Sequence, residues 1–240
     1  MANAFHASIL SQIEMRSGQG TKHTISDTYL GTSHPRYEIA APSLREIAKS
    51  WAVSHKHLSA SQIADVITSL IKGKSATEKI VGGMLLDYIT KAQRDFEPEL
   101  FTDWLDHLEG WAEVDAVCTN KHSILHIVPN FSAWKRLLKQ FSKSDNIHKR
   151  RASLVFLCSP VRHHQDERLI KLAFENIERL KGENEILITK AISWLLRSLI
   201  KHYKEEVADY VKKNADSLPK IAVRETLTKL KTGKKTKSKQ

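Results

Sequence analysis

The stretch Ser59-Ala60-Ser61-Gln62-Ile63-Ala64-Asp65-Val66-Ile67-Thr68-Ser69-Leu70-Ile71-Lys72-Gly73-Lys74-Ser75-Ala76-Thr77-Glu78 decides the fold class. Ile63, Val66, Ile67 and Leu70 recur at spacings of three and four, the period of one helix face. The helix starts at Ser59, a residue type suited to an N-cap. It stops at Lys72-Gly73-Lys74, a basic, glycine-capped end. Ser75-Ala76-Thr77-Glu78 is then a capping box, in which Ser and Glu each satisfy an amide the first helical turn leaves unpaired. A second helix follows through Ile80, Met84, Leu85 and Tyr88.

The same pattern extends in both directions. Phe5, Ile9 and Ile13 mark a first helix, closed by Ser17-Gly18-Gln19-Gly20, and residues 18–41 are irregular, with Gly31 and Pro35. Pro42 opens a helix through Leu44, Ile47, Ala48 and Trp51, as proline's fixed φ allows in a first turn. Downstream, helical segments are expected at 97–108, 112–128, 130–142, 146–159, 165–180, 184–203, 204–215 and 218–230. Nine Gly and six Pro are few for a chain of many β-turns, and no alternating β-branched run competes. The reading is all-α. Helix pairs recur at roughly 35–43 residues, which fits a curved solenoid of HEAT-like or armadillo-like repeats with a concave basic groove. A compact helical bundle is the competing arrangement. One repeat domain is expected over 1–230, followed by a disordered basic tail over 231–240.

Hydrophobic residues make up 41% of the 240, enough for a real core, and the formal net charge is +11. Residues 229–240 hold six lysines and no acid, so the tail supplies about half of that excess and the body is modestly basic. Such a balance attracts a polyanion, nucleic acid foremost, with a ribosomal or membrane surface as the alternative. Cys118 and Cys158 alone define no disulfide framework, and reduced thiols are expected. The first six residues lack a basic region followed by an apolar run, and no stretch approaches the length of a membrane span. A cytoplasmic, nucleoid-associated monomer is therefore the expectation.

Two helices carry unusual faces. On the segment from residue 111, Trp111, Asp115, Cys118 and His122 fall at i, i+4, i+7 and i+11, beside an apolar face of Val114, Val117, Ile124 and Val128. On the segment 184–203, Ile188, Ile192, Leu195, Leu199 and Tyr203 form the core stripe. Trp194 lies roughly 120° away, with Lys190, Arg197 and Lys201 as its angular neighbours. An aromatic among three cations suits a nucleic-acid backbone or base; it equally suits a tryptophan packed under basic stems. Between these helices, Arg151 is in line with Leu154, Val155 and Cys158, so its guanidinium needs an anion such as Asp115 or a phosphate. Arg150 reads as a solvated or phosphate-contacting charge. Trp111, Arg151 and Trp194 are separated by 40 and 43 residues, which would place them on equivalent helices of successive repeats.

Other motifs are weaker. His122 and His126 have the i, i+4 spacing of a metalloprotease helix without its glutamate. Asp115, Cys118 and His122 could ligate a metal, but no metal and no cofactor are expected. No phosphate-binding glycine loop or nucleophile triad is recognisable.

Several segments resemble the DNA alkylation repair family of HEAT-repeat glycosylases. They are Tyr29-Leu30-Gly31-Thr32, Ala41-Pro42-Ser43-Leu44-Arg45-Glu46-Ile47-Ala48-Lys49, Trp111-Ala112-Glu113-Val114-Asp115, Arg150-Arg151-Ala152, Lys190-Ala191-Ile192-Ser193-Trp194-Leu195-Leu196-Arg197 and Val223-Arg224-Glu225-Thr226. Their order spans residues 29 to 230. The resemblance implies excision of cationic N3- or N7-alkylated purines from duplex DNA, with Trp111, Asp115, Arg151 and Trp194 as the site. Arg45, Arg150, Lys190, Arg197 and Lys201 would contact DNA. The chain departs from the family pattern at Glu38-Ile39-Ala40-Ala41, before the proline, and at Ala112, a position often acidic in relatives. A non-catalytic binder of bent or branched DNA and a protein–protein scaffold are the alternative functions.

Overall fold

A computed structural model describes residues 4–18 and 25–235, and among these it contains helices and no strand. The chain divides into two compact units that meet between His122 and Ser123. The first holds α1 (Ala4–Arg16), α2 (Asp27–Leu30), α3 (Ala41–Ser54), α4 (Ala60–Ile71), α5 (Ala76–Tyr88), a 3-10 turn (Ala92–Arg94), α6 (Leu100–Asp106) and α7 (Gly110–Cys118). The short α8 (Lys121–His126) crosses the boundary. The second unit holds α9 (Phe131–Phe141), α10 (Ile147–Cys158), α11 (Pro160–His163), α12 (Glu167–Leu180), α13 (Ile186–Leu199), α14 (Lys204–Lys213) and α15 (Lys220–Thr232).

In the first unit, α5 packs against α3, α4 and α7, and nearly every residue from Ala76 to Leu86 is buried. The approach to α7 is backbone on backbone. A Cβ at Gly83 would lie 2.6 Å from the carbonyl carbon of Ala116 and 2.9 Å from the amide of Val117. Glycine is therefore a steric requirement there. Helices α3, α5 and α7 form one row, with α4 packed against α5. The capping boxes expected at Ser59 and Ser75 both form, with Gln62 and Glu78 as their third residues. Lys72, not Gly73, is the cap of α4, with an ordinary helical φ of −80°.

In the second unit α10 contacts α9, α12 and α13, and α13 contacts α15. Every residue of α10 from Arg151 to Cys158 is buried, so this helix is enclosed on all faces. The row α10–α13–α15 repeats in this unit the kind of packing seen in α3–α5–α7.

Three boundaries differ from the sequence expectation. The segment 112–128 is two helices, because Thr119 and Asn120 take the last carbonyls of α7. Thr119 Oγ1 donates to Asp115 O at 2.6 Å, and Asn120 Nδ2 donates to Val117 O at 2.7 Å. Such local side-chain bonds compete with helix continuation. Helix α13 ends at Leu199, so Lys201 and Tyr203 lie beyond it; Tyr203 is still buried. Helix α15 runs to Thr232 and closes at Gly233, two residues into the stretch read as tail. The remainder of that tail, 236–240, lies outside the described residues, as does the 19–24 part of the irregular segment.

Glu78 does more than cap. Its carboxylate accepts bonds from the Ser75 amide at 2.8 Å and the Ser75 hydroxyl, and meets His6 Nε2 at 2.9 Å, tying α1 to α5. Burial alone would raise its pKa, but the bonds from His6 and Ser75 outweigh that and hold it below the usual carboxylate range. The depressed folded value means that this stability is present above the ordinary glutamate pKa and is lost as pH falls through the folded one. Glu78→Gln should cost roughly 2 kcal/mol near neutrality. In urea unfolding curves taken across pH, the gap to wild type should shrink on acidification below the usual carboxylate range.

Candidate active site

The first cluster is built at the start of α7. Gly110 has φ +65°, and a Cβ there would collide with the carbonyl oxygen of Leu30. This contact docks α2 and its αL cap, Gly31, onto the first turn of α7. The Trp111 indole N–H then donates to the Tyr29 carbonyl at 2.9 Å, and the two rings meet edge to face at 5.9 Å. Tyr29 is 58% exposed and Trp111 half-buried, so both rings border solvent. Asp115 follows one turn later, also half-buried.

Sequence reasoning missed the group that holds this cluster. Glu113 is 1% exposed. One of its oxygens accepts from Thr32 Oγ1 at 2.7 Å, the other from the Glu109 amide at 2.8 Å, and His34 Nδ1 lies 3.1 Å from both. Glu109 in turn accepts from the amide and hydroxyl of Ser33, at 2.7 and 2.8 Å. The buried Lys79 adds charge balance. Burial pulls its pKa down, opposed by Glu113, Glu78 and Glu109, while its ammonium donates to Ile71 O at 2.7 Å. A signal was present in the sequence: Glu113 falls about 40° from Val117 on the helix wheel, a carboxylate at the edge of an apolar face.

Cys118 and His122 do not border solvent with Trp111 and Asp115. Both are fully buried, and His122, beyond the break at Thr119, stacks on Phe96 at 4.7 Å. No group of three His, Cys, Asp or Glu among the described residues could hold a metal. Asp87 marks the start of α8 by accepting the Lys121 amide at 2.8 Å, and burial raises its pKa against that bond. Arg45, on α3, is exposed.

In the second unit, Arg151 is buried on α10 and donates to the Leu187 carbonyl, in the first turn of α13, at 2.6 Å. Trp194 is half-buried two turns further along α13, and among the described residues its indole N–H has no hydrogen-bond partner. Arg150 is a strut: it holds Glu183 through two bonds of 2.9 and 3.2 Å and the carbonyls of Ser144 and Asp145 at 2.9 Å each. This is a different setting from the solvated charge expected. Arg197 lies 3.4 Å from Glu225, which also accepts from Ser193 Oγ at 2.7 Å. Burial pulls the Arg197 pKa down and Glu225 opposes it. Lys190 is half-buried one turn before Trp194. Lys201, expected beside Trp194 on one helix face, instead sits in the turn after α13 and donates to Arg162 O at 2.7 Å. Lys229 donates to Arg197 O at 2.9 Å; burial, Arg162 and Arg197 lower its pKa. Lys229 thus meets the C-terminal turn of α13, where a cation is favoured by the helix dipole.

These features define a class: an all-helical protein whose rows of helices carry aromatic, acidic and basic side chains bordering solvent. The model of the DNA alkylation repair enzyme family matches residues 17–230, and the chain belongs to that family. Its fold is similar to that of a solved structure described as "Predicted DNA alkylation repair enzyme from Enterococcus faecalis". The two share 16% identity over 93% of each chain, with a TM-score of 0.64. No curated protein matches the chain. No helix among the described residues is long and apolar enough to cross a membrane. Membership of this family makes the protein an enzyme of alkylated-DNA repair, with DNA as its partner.

Gly110→Ala forces a side chain into left-handed backbone and into the Leu30 carbonyl. It should destabilise the first unit by about 1–3 kcal/mol and raise hydrogen exchange over residues 27–34. Unchanged exchange there would contradict the docking role of Gly110.

Proposed function

We propose that the protein is a DNA glycosylase that hydrolyses the N-glycosidic bond of cationic N3- or N7-alkylated purines in duplex DNA. One observation carries this reading: within one turn of α7, a half-buried carboxylate follows a tryptophan whose indole N–H is already bound to Tyr29 O. With its donor occupied, Trp111 has its π-face left to offer a ligand. A π-face and a carboxylate both favour positive charge.

The chemistry needs little else. An alkylated purine carries a fixed positive charge, so the electrons of the breaking C1′–N bond neutralise the departing ring. No strong general acid is required, unlike ordinary glycoside hydrolysis. The sugar becomes oxocarbenium-like, and water must reach C1′. Asp115 stabilises that charge and accepts a hydrogen bond from the incoming water. In the second unit the family resemblance adds Trp194, whose aromatic face suits DNA, and Arg151, whose guanidinium is buried against Leu187 O and would meet a phosphate only once uncovered. The modestly basic body and lysine-rich C-terminal segment attract the duplex, with an affinity that falls as salt rises. Arg45, Lys190, Arg197 and Lys201 are the proposed backbone contacts. Arg150 remains in this set only if a phosphate displaces Glu183.

Asp115→Asn keeps side-chain shape and removes the charge. It should slow single-turnover release of a methylated purine by about 10²–10³-fold while equilibrium binding holds or improves. Trp194→Ala should lower both, because a stacking contact contributes about 1–3 kcal/mol. Full activity of Asp115→Asn would remove Asp115 from the mechanism. Binding without release by wild type, on N3- and N7-alkylpurines alike, would favour a non-catalytic DNA binder.

A further inference from the structure

Glu113 lies two residues from Trp111 and two from Asp115, yet faces neither solvent nor, on the reading above, the substrate. Its two oxygens gather three donors: the Thr32 hydroxyl, His34 Nδ1 and the Glu109 amide. Thr32 and His34 belong to the segment that follows α2, whose Tyr29 carbonyl holds the Trp111 indole. The Glu109 amide belongs to the N-cap position of α7 itself. One buried carboxylate therefore joins the two pieces of chain between which the tryptophan is suspended. We infer that Glu113 is a positioning residue for the proposed reaction: it fixes the 29–34 segment against α7 and so sets the plane of the Trp111 ring.

The inference rests on Trp111 belonging to the site. The chain of contacts is short and entirely within the first unit. Glu113 to Thr32 is one bond, Thr32 to Tyr29 is three residues through the αL turn at Gly31, and Tyr29 to Trp111 is one bond. Without the carboxylate, the buried donors lose their acceptor, and the segment is free to move away from α7. Glu113→Gln is no rescue, because its amide would present a second donor to the donors it must accept. Thr32→Val keeps shape at a half-buried position and removes two bonds, the one given to Glu113 and the one accepted from the His34 amide at 3.1 Å, so it loosens the same segment while leaving the Glu113 carboxylate in place.

The test compares wild type, Glu113→Ala and Thr32→Val, each with and without Trp111→Phe. The first readout is acrylamide quenching of tryptophan fluorescence, which needs no DNA. Glu113→Ala should expose a tryptophan, and the added exposure should vanish in the Trp111→Phe background; Thr32→Val should show a smaller change of the same kind. The second readout is single-turnover release of 7-methylguanine at saturating enzyme. Displacing a reacting group by about 1 Å costs up to about 10²-fold in rate. Glu113→Ala should approach that loss, with affinity for the duplex little changed.

A Trp111-dependent quenching change together with slowed release supports the inference. Lowered melting temperature with quenching unaltered in both variants assigns Glu113 a purely structural role and overturns it. So does a quenching change that persists in Trp111→Phe. If Glu113→Ala does not fold, Thr32→Val alone decides by the same criteria. If wild type releases no base, the glycosylase reading fails, and the quenching comparison still decides whether Glu113 orients Trp111.

Discussion

The contact between α5 and α7 at Gly83 is the constraint from which the first unit's site follows. Two helices whose backbones touch have almost no freedom to slide or rotate, since any side chain at the crossing would have to enter the opposing peptide group. That fixes α7 against a helix that is itself enclosed by α3 and α4. Everything on the outer side of α7 inherits this rigidity, including the half-buried Trp111 and Asp115. A site built on such an element can hold side chains to the tolerance catalysis needs, which a loop cannot.

Charge withdrawn from solvent, buried in the first unit and half-buried in the second, is the next theme, and in each unit it acts as a tie between chain segments. Glu78 joins α5 to α1, Glu113 joins α7 to the 32–34 segment, Arg150 joins α10 to Glu183, and Glu225 joins α15 to α13. Each is hydrogen-bonded through more than one atom or partner, the condition under which a buried ion is tolerated. Many of the cations expected to face a polyanion are in fact anchored to carbonyls or carboxylates. Their charge still contributes to the field around the protein, because an ammonium bound to a carbonyl keeps its positive charge.

The all-helical class was legible because its signals are local. Ser59, Pro42 and the Ser75–Glu78 box lie next to the turns they start, and the i, i+4 periodicity states the buried face directly. The break at Thr119 and Asn120 was not legible, because the apolar period continues across it through Ile124 and Val128. Only the tertiary arrangement shows those two side chains turning back on their own helix. Trp111 and Asp115 were found as a pair because they share a helix face. Glu113 was passed over because its partners are 81, 79 and 4 residues away. Lys201 was misplaced for a simpler reason: the helix carrying Trp194 ends two residues earlier.

The central claim concerns which bond is broken. The direct measurement is mass spectrometry of the products after incubating the purified protein with a duplex containing 7-methylguanine or 3-methyladenine. The account predicts free methylated base, an abasic site in an otherwise intact strand, and release above the spontaneous rate without added cofactor. Repair that returns an unmodified purine to the strand, or no product above the spontaneous rate while the duplex stays bound, would contradict it.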